Sequence, residues 1–366
     1  MVVMDAASLY PSVSINYNLS YDTVNCSCCK DDSNAKITLD SKFLKDCKFV
    51  QHSNCWICKK SIGAFPKKLK VFKEERLRQK KSGNEPKQLA LKILINGGYG
   101  VFGASDYSYY DPRVAELITA YGRMTLSKMQ DIAKGLGFEI VYGDTDSLFL
   151  SNPQSRESLS KFQEECSKQL DIQVEIKSTY HTFILSSVKK HYLGYNKDKD
   201  AIDIVGMEGK KSDRAEFIHK VFRQVVNDVV KSNANPIPNL RHAISDLDSR
   251  QVNPELLKLS KVLGENPEDY KSQTCQPSII GKALGLRKGD LIEYFDSDVK
   301  KTGKSWSVNP ADIDIPKYKQ TLWNTVREVL EITGYPVEDL AKEFDVKNLK
   351  KSKSNNGHGN ACLHVM

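Results

Sequence analysis

Long apolar runs are missing from this sequence. No window of its 366 residues approaches the about 18 uninterrupted apolar positions of a membrane-spanning helix. The first residues, MVVMDAASLYPS, lack the basic n-region and apolar h-region of a secretory signal, so the expectation is an intracellular protein with no membrane partner. Compositional bias is missing too. With 21 glycines and 13 prolines in a chain that is 40% hydrophobic and 27% charged, collagen-like, low-complexity and, for the bulk, disordered classes are excluded. Charge of one sign is not dominant either: 54 basic against 46 acidic side chains leaves +8, which permits a polyanionic partner without requiring one. At about 150 residues per domain the length allows two or three domains.

Cysteine is unevenly spread. Of nine cysteines, Cys26, Cys28, Cys29, Cys47, Cys55 and Cys58 lie within one short polar stretch of weak periodicity, read as an insertion over residues 26–60. Cys55 and Cys58 form a C-x-x-C half-site. With Cys26 and Cys29 they make four thiolates suited to a structural Zn²⁺, His52 being a spare nitrogen ligand. Free or redox-labile thiols and disulfides remain open alternatives.

The opening VVMDA is a β-branched apolar run that ends at Asp5, followed by a turn and a short helix. Residues 66–81 predict a basic helix with an apolar stripe at Leu69, Phe72 and Leu77. SGNEP then breaks it, and a second helix follows from Lys87 to about Gly97, which makes an antiparallel hairpin. A longer helix carries Val114, Leu117, Ile118, Tyr121, Met124 and Leu126 and closes at Gly135 and Gly137. Two apolar runs, 138–142 and 147–150, flank Gly143-Asp144-Thr145-Asp146 and predict a β-hairpin with carboxylates at its tip. Residues 181–208 suggest further strands. From about Ala215 the pattern is helical with loops, ending in a solvated tail.

Asp144 and Asp146, two positions apart on a tight hairpin, put hard oxygen ligands together, an arrangement that Mg²⁺ favours; Asp5 at its own strand end is a third carboxylate. Ordinary turn chemistry is the alternative, since Asp is a preferred turn residue. Arg76 and Lys80 share one helix face by i, i+4 spacing, and Lys92, Asn96 and Tyr99 share another by i, i+4, i+7. Aimed into one cleft with the carboxylates they would clamp a triphosphate; taken alone they read as a solvated basic face.

Three segments together carry a resemblance. Asp5-Ala6-Ala7-Ser8-Leu9-Tyr10-Pro11-Ser12 resembles the first polymerase motif of family B DNA polymerases, D-x-x-S-L-Y-P-S. Lys92 to Gly100, KILINGGYG, resembles the second, K-x-x-x-N-S-x-Y-G, and Tyr142-Gly143-Asp144-Thr145-Asp146-Ser147 resembles the third, all in the family's order. Lys189-Lys190-His191-Tyr192 resembles the K-K-x-Y element that contacts the primer-template duplex.

The resemblance implies an α+β right-hand polymerase. Residues 1–25 and 105–212 would form an antiparallel-sheet palm, 61–104 short helical-hairpin fingers, 213–345 a mainly helical thumb and 346–366 a flexible tail, with 26–60 inserted. It implies that Asp5 and Asp146 hold two Mg²⁺ ions with Asp144 as a weaker or outer catalytic carboxylate. Ser8 and Leu9 would cradle phosphates that Arg76, Lys80, Lys92 and Asn96 reach from the fingers. Tyr10 would exclude a 2′-hydroxyl, Tyr99 would test the nascent base pair, and Lys189, Lys190 and Tyr192 would contact DNA. The partners implied are primer-template DNA and deoxynucleoside triphosphates.

This sequence departs from the family at Gly97, where the motif has Ser, and in the shortness of the hairpin. The family also carries an N-terminal region and a 3′-5′ exonuclease domain ahead of Asp5. The expectation is therefore a chain without exonuclease, completed by a separate polypeptide or itself a fragment. A partner-dependent, non-catalytic DNA-binding fragment of a split polymerase is the alternative, and a reverse transcriptase is disfavoured by the Tyr10 environment and motif spacing. Gly98 to Gly103 also matches G-x-G-x-x-G, but it follows a helix and not a strand, and no other kinase element accompanies it. These glycines are expected to let the chain leave the fingers helix.

Overall fold

The computed structural model describes residues 1–50, 55–151, 156–210 and 213–348 and the backbone of 363–365. The expectations for His52 and for most of the 346–366 tail lie outside the described residues. Contacts divide the chain into two units, Met1–Thr179 and Tyr180–Met366. Both mix helices with antiparallel sheets, as an α+β class requires.

The first unit is built on strand β1 (Val2–Ala6), whose Val2, Val3 and Met4 are buried on both faces. That explains an uninterrupted apolar run where a half-exposed strand would alternate. Helix α1 (Leu9–Asn16) follows directly. A one-turn helix α2 (Ser41–Leu44) lies in the cysteine-rich segment. Helices α3 (Ala64–Lys81) and α4 (Glu85–Gly103) form the hairpin, and α5 (Pro112–Gly135) packs beneath. Helix α5 starts with Asp111 accepting from the Arg113 amide at 3.1 Å and with Pro112 in its first turn. Val114, Leu117, Ile118 and Tyr121 then face the core at helical spacing. Strands β2 (Glu139–Asp144) and β3 (Ser147–Ser151), helix α6 (Arg156–Leu170) and strand β4 (Val174–Thr179) complete a sheet of order β2-β3-β1-β4.

Two expectations for the hairpin need correction. Leu69 is buried, but Phe72 is only half-buried and Leu77 is 37% exposed and borders the cavity described below. Helix α4 does not stop near Gly97 but continues through Gly98 and Gly100 to Gly103. Each helical glycine costs about 1 kcal/mol relative to Ala, yet packing outweighs it. A Cβ on Gly98 would stand 3.0 Å from the Phe65 ring, and Phe65 meets buried Phe102 edge-on at 4.7 Å. Gly98 thus allows close approach inside the hairpin, and the run of glycines lies within the helix and is not an exit from it.

In the second unit, strands β5 (Thr182–Leu185), β6 (Tyr192–Asn196) and β7 (Ala201–Val205) form an antiparallel meander. Helices α7 (Glu216–Val230) and α8 (Ile237–Asp248) follow. The helix-and-loop pattern expected after Ala215 is interrupted by a small sheet of order β10-β9-β8, formed by β8 (Leu259–Val262), β9 (Leu291–Asp296) and β10 (Trp306–Ser307). Helices α9 (Gln276–Leu284) and α10 (Val299–Thr302) lie between these strands. Helix α11 (Ile315–Ile332) carries the fully buried Trp323 into a core shared with α7 and α8, and α12 (Val337–Glu343) follows. Strand β11 (Leu363–Val365) pairs with β5. Among the described residues no helix is long and apolar enough to cross a membrane.

Candidate active site

Register decides which side chains meet. Asp5 pairs with Ser147 of β3 on one side and Glu175 of β4 on the other, and Ser147 pairs with Asp144 of β2. Directly opposed residues in antiparallel strands share a face, so Asp144, Ser147, Asp5 and Glu175 form one row across the sheet. The Ser147 hydroxyl donates to Asp5 Oδ1 at 2.5 Å and lies 3.4 Å from Asp146 Oδ1, bridging the two carboxylates. The hairpin tip is held in place: Thr145 has φ 54°, the Asp146 amide donates to the Asp144 carbonyl at 2.6 Å, and the Ala6 amide donates to the Asp146 carbonyl at 2.8 Å. Burial, and then the charge of Asp5, raise the Asp146 carboxyl above the ordinary carboxylate range, while Lys177 and Ser147 pull the other way. Lys177 Nζ stands 3.2 Å from Asp5 Oδ1. Two crowded carboxylates relieved by a cation are a donor set that suits a hard divalent metal. Asp144 lies at the far end of the row, where its Oδ1 accepts from the Thr145 hydroxyl at 3.1 Å.

Asp5 and Asp146 line one wall of a cavity of about 470 Å³, and the hairpin supplies the other. Arg76 Nη1 donates to Ser8 Oγ at 3.1 Å, while Arg76 Nε is buried with no hydrogen-bond partner among the described residues. Ser8 itself sits in the left-handed region at φ 53° and ψ 59°, where the chain turns from β1 into α1. Lys80 reaches Glu175 at 3.2 Å, and Lys92 and Asn96 enter from α4. Lys73, one turn before Arg76, donates to Ser12 Oγ at 2.8 Å, and burial holds its ammonium below the ordinary lysine range. Five cationic side chains, Lys73, Arg76, Lys80, Lys92 and Lys177, thus face three carboxylates around the cavity. Such a surplus suits a polyanion.

Tyr10 and Tyr99 form one unit, their ring centroids 5.0 Å apart. Tyr10 borders the cavity and also lies against Gly122 of α5, where a Cβ would stand 3.0 Å from Tyr10 Cε1. Leu9 buries its side chain in the core. Lys73, Glu175 and Lys177 are absent from the sequence-based set. Lys73 is readable from its i−3 relation to Arg76, but the other two depend on a register that shifts between Val3 and Met4.

The remaining expected residues fall elsewhere. Lys189 and Lys190 are exposed on the turn between β5 and β6 in the second unit. Tyr192 opens β6 with its ring 5.4 Å from that of Phe183. Between them, His191 Nδ1 lies 2.6 Å from Glu328 Oε1, which ties the turn to α11. Among the cysteines the expected set is corrected: the thiols of Cys26, Cys28, Cys29 and Cys58 gather within 4.8 Å of one another. Cys55 instead is buried in the main core, and that burial pushes its thiol up to about 11. Spacing alone favoured Cys55 because it completes C-x-x-C, but Trp56 and Ile57 are extended, bridging Lys36 and Val24, and side chains alternate there: Cys55 and Ile57 face the main core, Trp56 and Cys58 the small cysteine cluster.

DNA polymerase family B matches residues 1–296 of this chain. DNA polymerase 1 of Sulfurisphaera ohwakuensis is 31% identical over 379 residues, covering 95% of this chain and 42% of the relative. DNA polymerase 1 of Sulfolobus acidocaldarius is 28% identical over 374 residues, covering 96% and 42%. Among solved structures, the family B DNA polymerase from the hyperthermophilic archaeon Pyrobaculum calidifontis shares the fold with a TM-score of 0.65 at 23% identity, over 91% of this chain and 44% of that one. The chain spans about two fifths of the length of these curated relatives.

Proposed function

Because the chain belongs to DNA polymerase family B, we propose that it carries the polymerising centre of a DNA-directed DNA polymerase, adding deoxynucleotides to a primer 3′-hydroxyl on a DNA template. In this reading residues 1–25 and 105–212 act as palm, 61–104 as fingers and 213–345 as thumb. The observation that carries it is the meeting of Asp5 and Asp146 through Ser147 on one cavity wall, opposite the cations of α3 and α4.

Asp5 and Asp146 are the carboxylates that would hold two Mg²⁺ ions, Asp144 standing outside them. Bound there, the ions would supply activation of the primer hydroxyl and neutralisation of the departing pyrophosphate. The rest falls to the chain's own side chains. Arg76, Lys80 and Lys92 bind triphosphate oxygens and neutralise charge as the phosphoryl group moves, with Asn96 and the backbone at Ser8 and Leu9 orienting it. Ser8 keeps Arg76 aimed by accepting from its Nη1. Tyr10 closes the floor beneath the sugar and Tyr99 packs on it, towards the base pair. Lys189, Lys190 and Tyr192 contact the duplex backbone.

Primer extension by the purified chain with Mg²⁺ and the four deoxynucleoside triphosphates tests the assignment. Extension that vanishes in Asp5→Asn and Asp146→Asn, with duplex affinity kept, supports it. Duplex binding with no extension at any Mg²⁺ concentration favours the second reading, a DNA-binding portion that reacts only with a companion polypeptide. The limited share of its relatives that this chain covers keeps that reading open. No exonuclease is assigned to residues 1–366, and release of 3′ nucleotides from single-stranded DNA by the pure chain overturns that part.

A further inference from the structure

We infer that Cys26, Cys28, Cys29 and Cys58 form a tetrathiolate site for a single Zn²⁺ ion that anchors the first turn of α3. The distances carry the assignment. Cys28 Sγ lies 3.6 Å from Cys26 Sγ, 3.8 Å from Cys29 Sγ and 3.6 Å from Cys58 Sγ, and Cys29 and Cys58 are 3.9 Å apart. With Zn–S bonds of about 2.3 Å, a tetrahedron has S···S edges of about 3.8 Å. The same distances exclude disulfides, whose sulfurs approach to about 2.05 Å. They also fit one ion and not an iron–sulfur cluster, which holds its thiolates apart on separate irons.

The surroundings supply the need for a metal. Ile37, Leu39, Leu44, Val50, Cys55 and Ile57 join the main core, but residues 26–35 have only a small separate cluster, Cys29, Ala35 and Cys58 with Cys26 and Trp56 against them, too small to order them by apolar burial. A structural metal replaces such a missing core. Hydrogen bonds around the thiols are already in place: Trp56 Nε1 donates to the Cys26 carbonyl and Lys60 Nζ to the Cys28 carbonyl, both at 2.8 Å, and Ser61 Oγ is 3.4 Å from Cys58 Sγ. Lys60 also places a positive charge beside four thiolates that carry two more negative charges than the ion neutralises.

From Cys58 the chain runs straight to α3. Asn18 Nδ2 donates to the carbonyls of Cys58 at 3.0 Å and Ser61 at 2.9 Å, and Asn18 Oδ1 accepts from the Gly63 amide at 2.8 Å. Asp22 then accepts from the Ala64 amide, the first of α3, at 3.0 Å. The ion would therefore tie residues 26–29 to the segment that launches the helix bearing Arg76 and Lys80, whether or not the chain polymerises DNA.

The test is elemental analysis of the full chain purified without chelator. About one equivalent of zinc is expected, and less than about half an equivalent overturns the site, since a structural site fills stoichiometrically. Iron with acid-labile sulfide in its place overturns the single-ion geometry. Cobalt reconstitution should give the intense visible bands of a tetrahedral tetrathiolate, and their absence counts against it. Cys28→Ser changes an exposed ligand and should weaken metal binding tenfold or more, whereas Cys55→Ser and Cys47→Ser retain the metal. The reverse pattern shows the ligand set to be wrong. Should Cys28→Ser fail to fold by circular dichroism, the metal count of the unmodified chain decides.

Discussion

Lys177 Nζ lies 3.2 Å from Asp5 Oδ1, so a lysine occupies the charge position that a divalent ion would take beside the same carboxylate. The lysine side chain is 59% exposed, and ion pairs that open are worth only about 0.2–1 kcal/mol. Lys177→Met should therefore lower the Mg²⁺ concentration for half-maximal primer extension by up to about fivefold, as the competing cation is gone. A magnesium titration checks this. An unchanged or higher requirement shows that Lys177 assists the reaction and does not compete with the ion.

Asp146 separates stability from activity. Burial and the Asp5 charge raise its folded-state affinity for a proton above that of the unfolded chain. The sign follows: its stabilising contribution is complete below the ordinary value of 3.8 and is lost as pH rises through the raised folded value. At neutral pH without metal the ionised side chain is a cost. Asp146→Asn should leave the melting temperature in chelator unchanged or raised, and flatten its fall with pH above about 4. Extension should fall on the order of a thousandfold or more. A marked loss of stability instead assigns Asp146 a structural role.

How much of this was readable beforehand depends on the kind of constraint. Asp5 and Asp146 were readable because strand ends and a hairpin tip are local features, and the pairing Asp5↔Ser147 only had to bring them together. Arg76 and Lys80 followed from helical spacing, as Lys73 could have. Glu175 and Lys177 were not readable, since a bulge beside Met4 sets which β4 residues face Asp5. Local propensity misjudged the end of α4, where Phe65 and Phe102 overrule four glycines, and the small β8–β9–β10 sheet, whose first strand is almost wholly exposed and shows no apolar alternation. Among the cysteines a sequence half-site lost to the fold: Cys55 packs into the main core, while Cys28 lies with Cys26, Cys29 and Cys58.

Tyr10 rests on Tyr99 in front and Gly122 behind. Tyr10→Ala should relax discrimination against ribonucleotides on the order of ten- to a hundredfold, read as the ratio of kcat/KM for deoxy- and ribonucleoside triphosphates. Gly122→Ala puts a methyl 3.0 Å from Tyr10 Cε1 and must move the ring by a few tenths of an ångström. It should shift the same ratio in the same direction by less, without touching substrate. Selectivity unaltered in both variants removes Tyr10 from sugar recognition.

Arg76 is held by Ser8, its Nη1 donating to Ser8 Oγ at 3.1 Å. Arg76→Lys preserves charge but loses the planar fork, so it should raise KM for the triphosphate about tenfold or more, and Arg76→Ala further. Ser8→Ala releases Arg76 and should produce a smaller change in the same sense. Equal KM values for Arg76→Lys and the unmodified chain leave Arg76 as a source of field and not of specific phosphate contact.

Lys189 and Lys190 are exposed on one turn but are not equivalent in backbone. Lys190 has φ 64°, a left-handed conformation that Asn adopts more readily than Ala. Lys189→Ala and Lys190→Asn therefore each remove a charge with the least disturbance of the turn. If both contact phosphates, each substitution should reduce the slope of log affinity against log salt by about 1 and weaken binding equally on unrelated duplexes. Titrations of fluorescent primer-template at several salt concentrations measure this. A slope that holds while affinity falls points instead to a displaced Tyr192 or to the His191–Glu328 anchor, both of which the turn keeps in place.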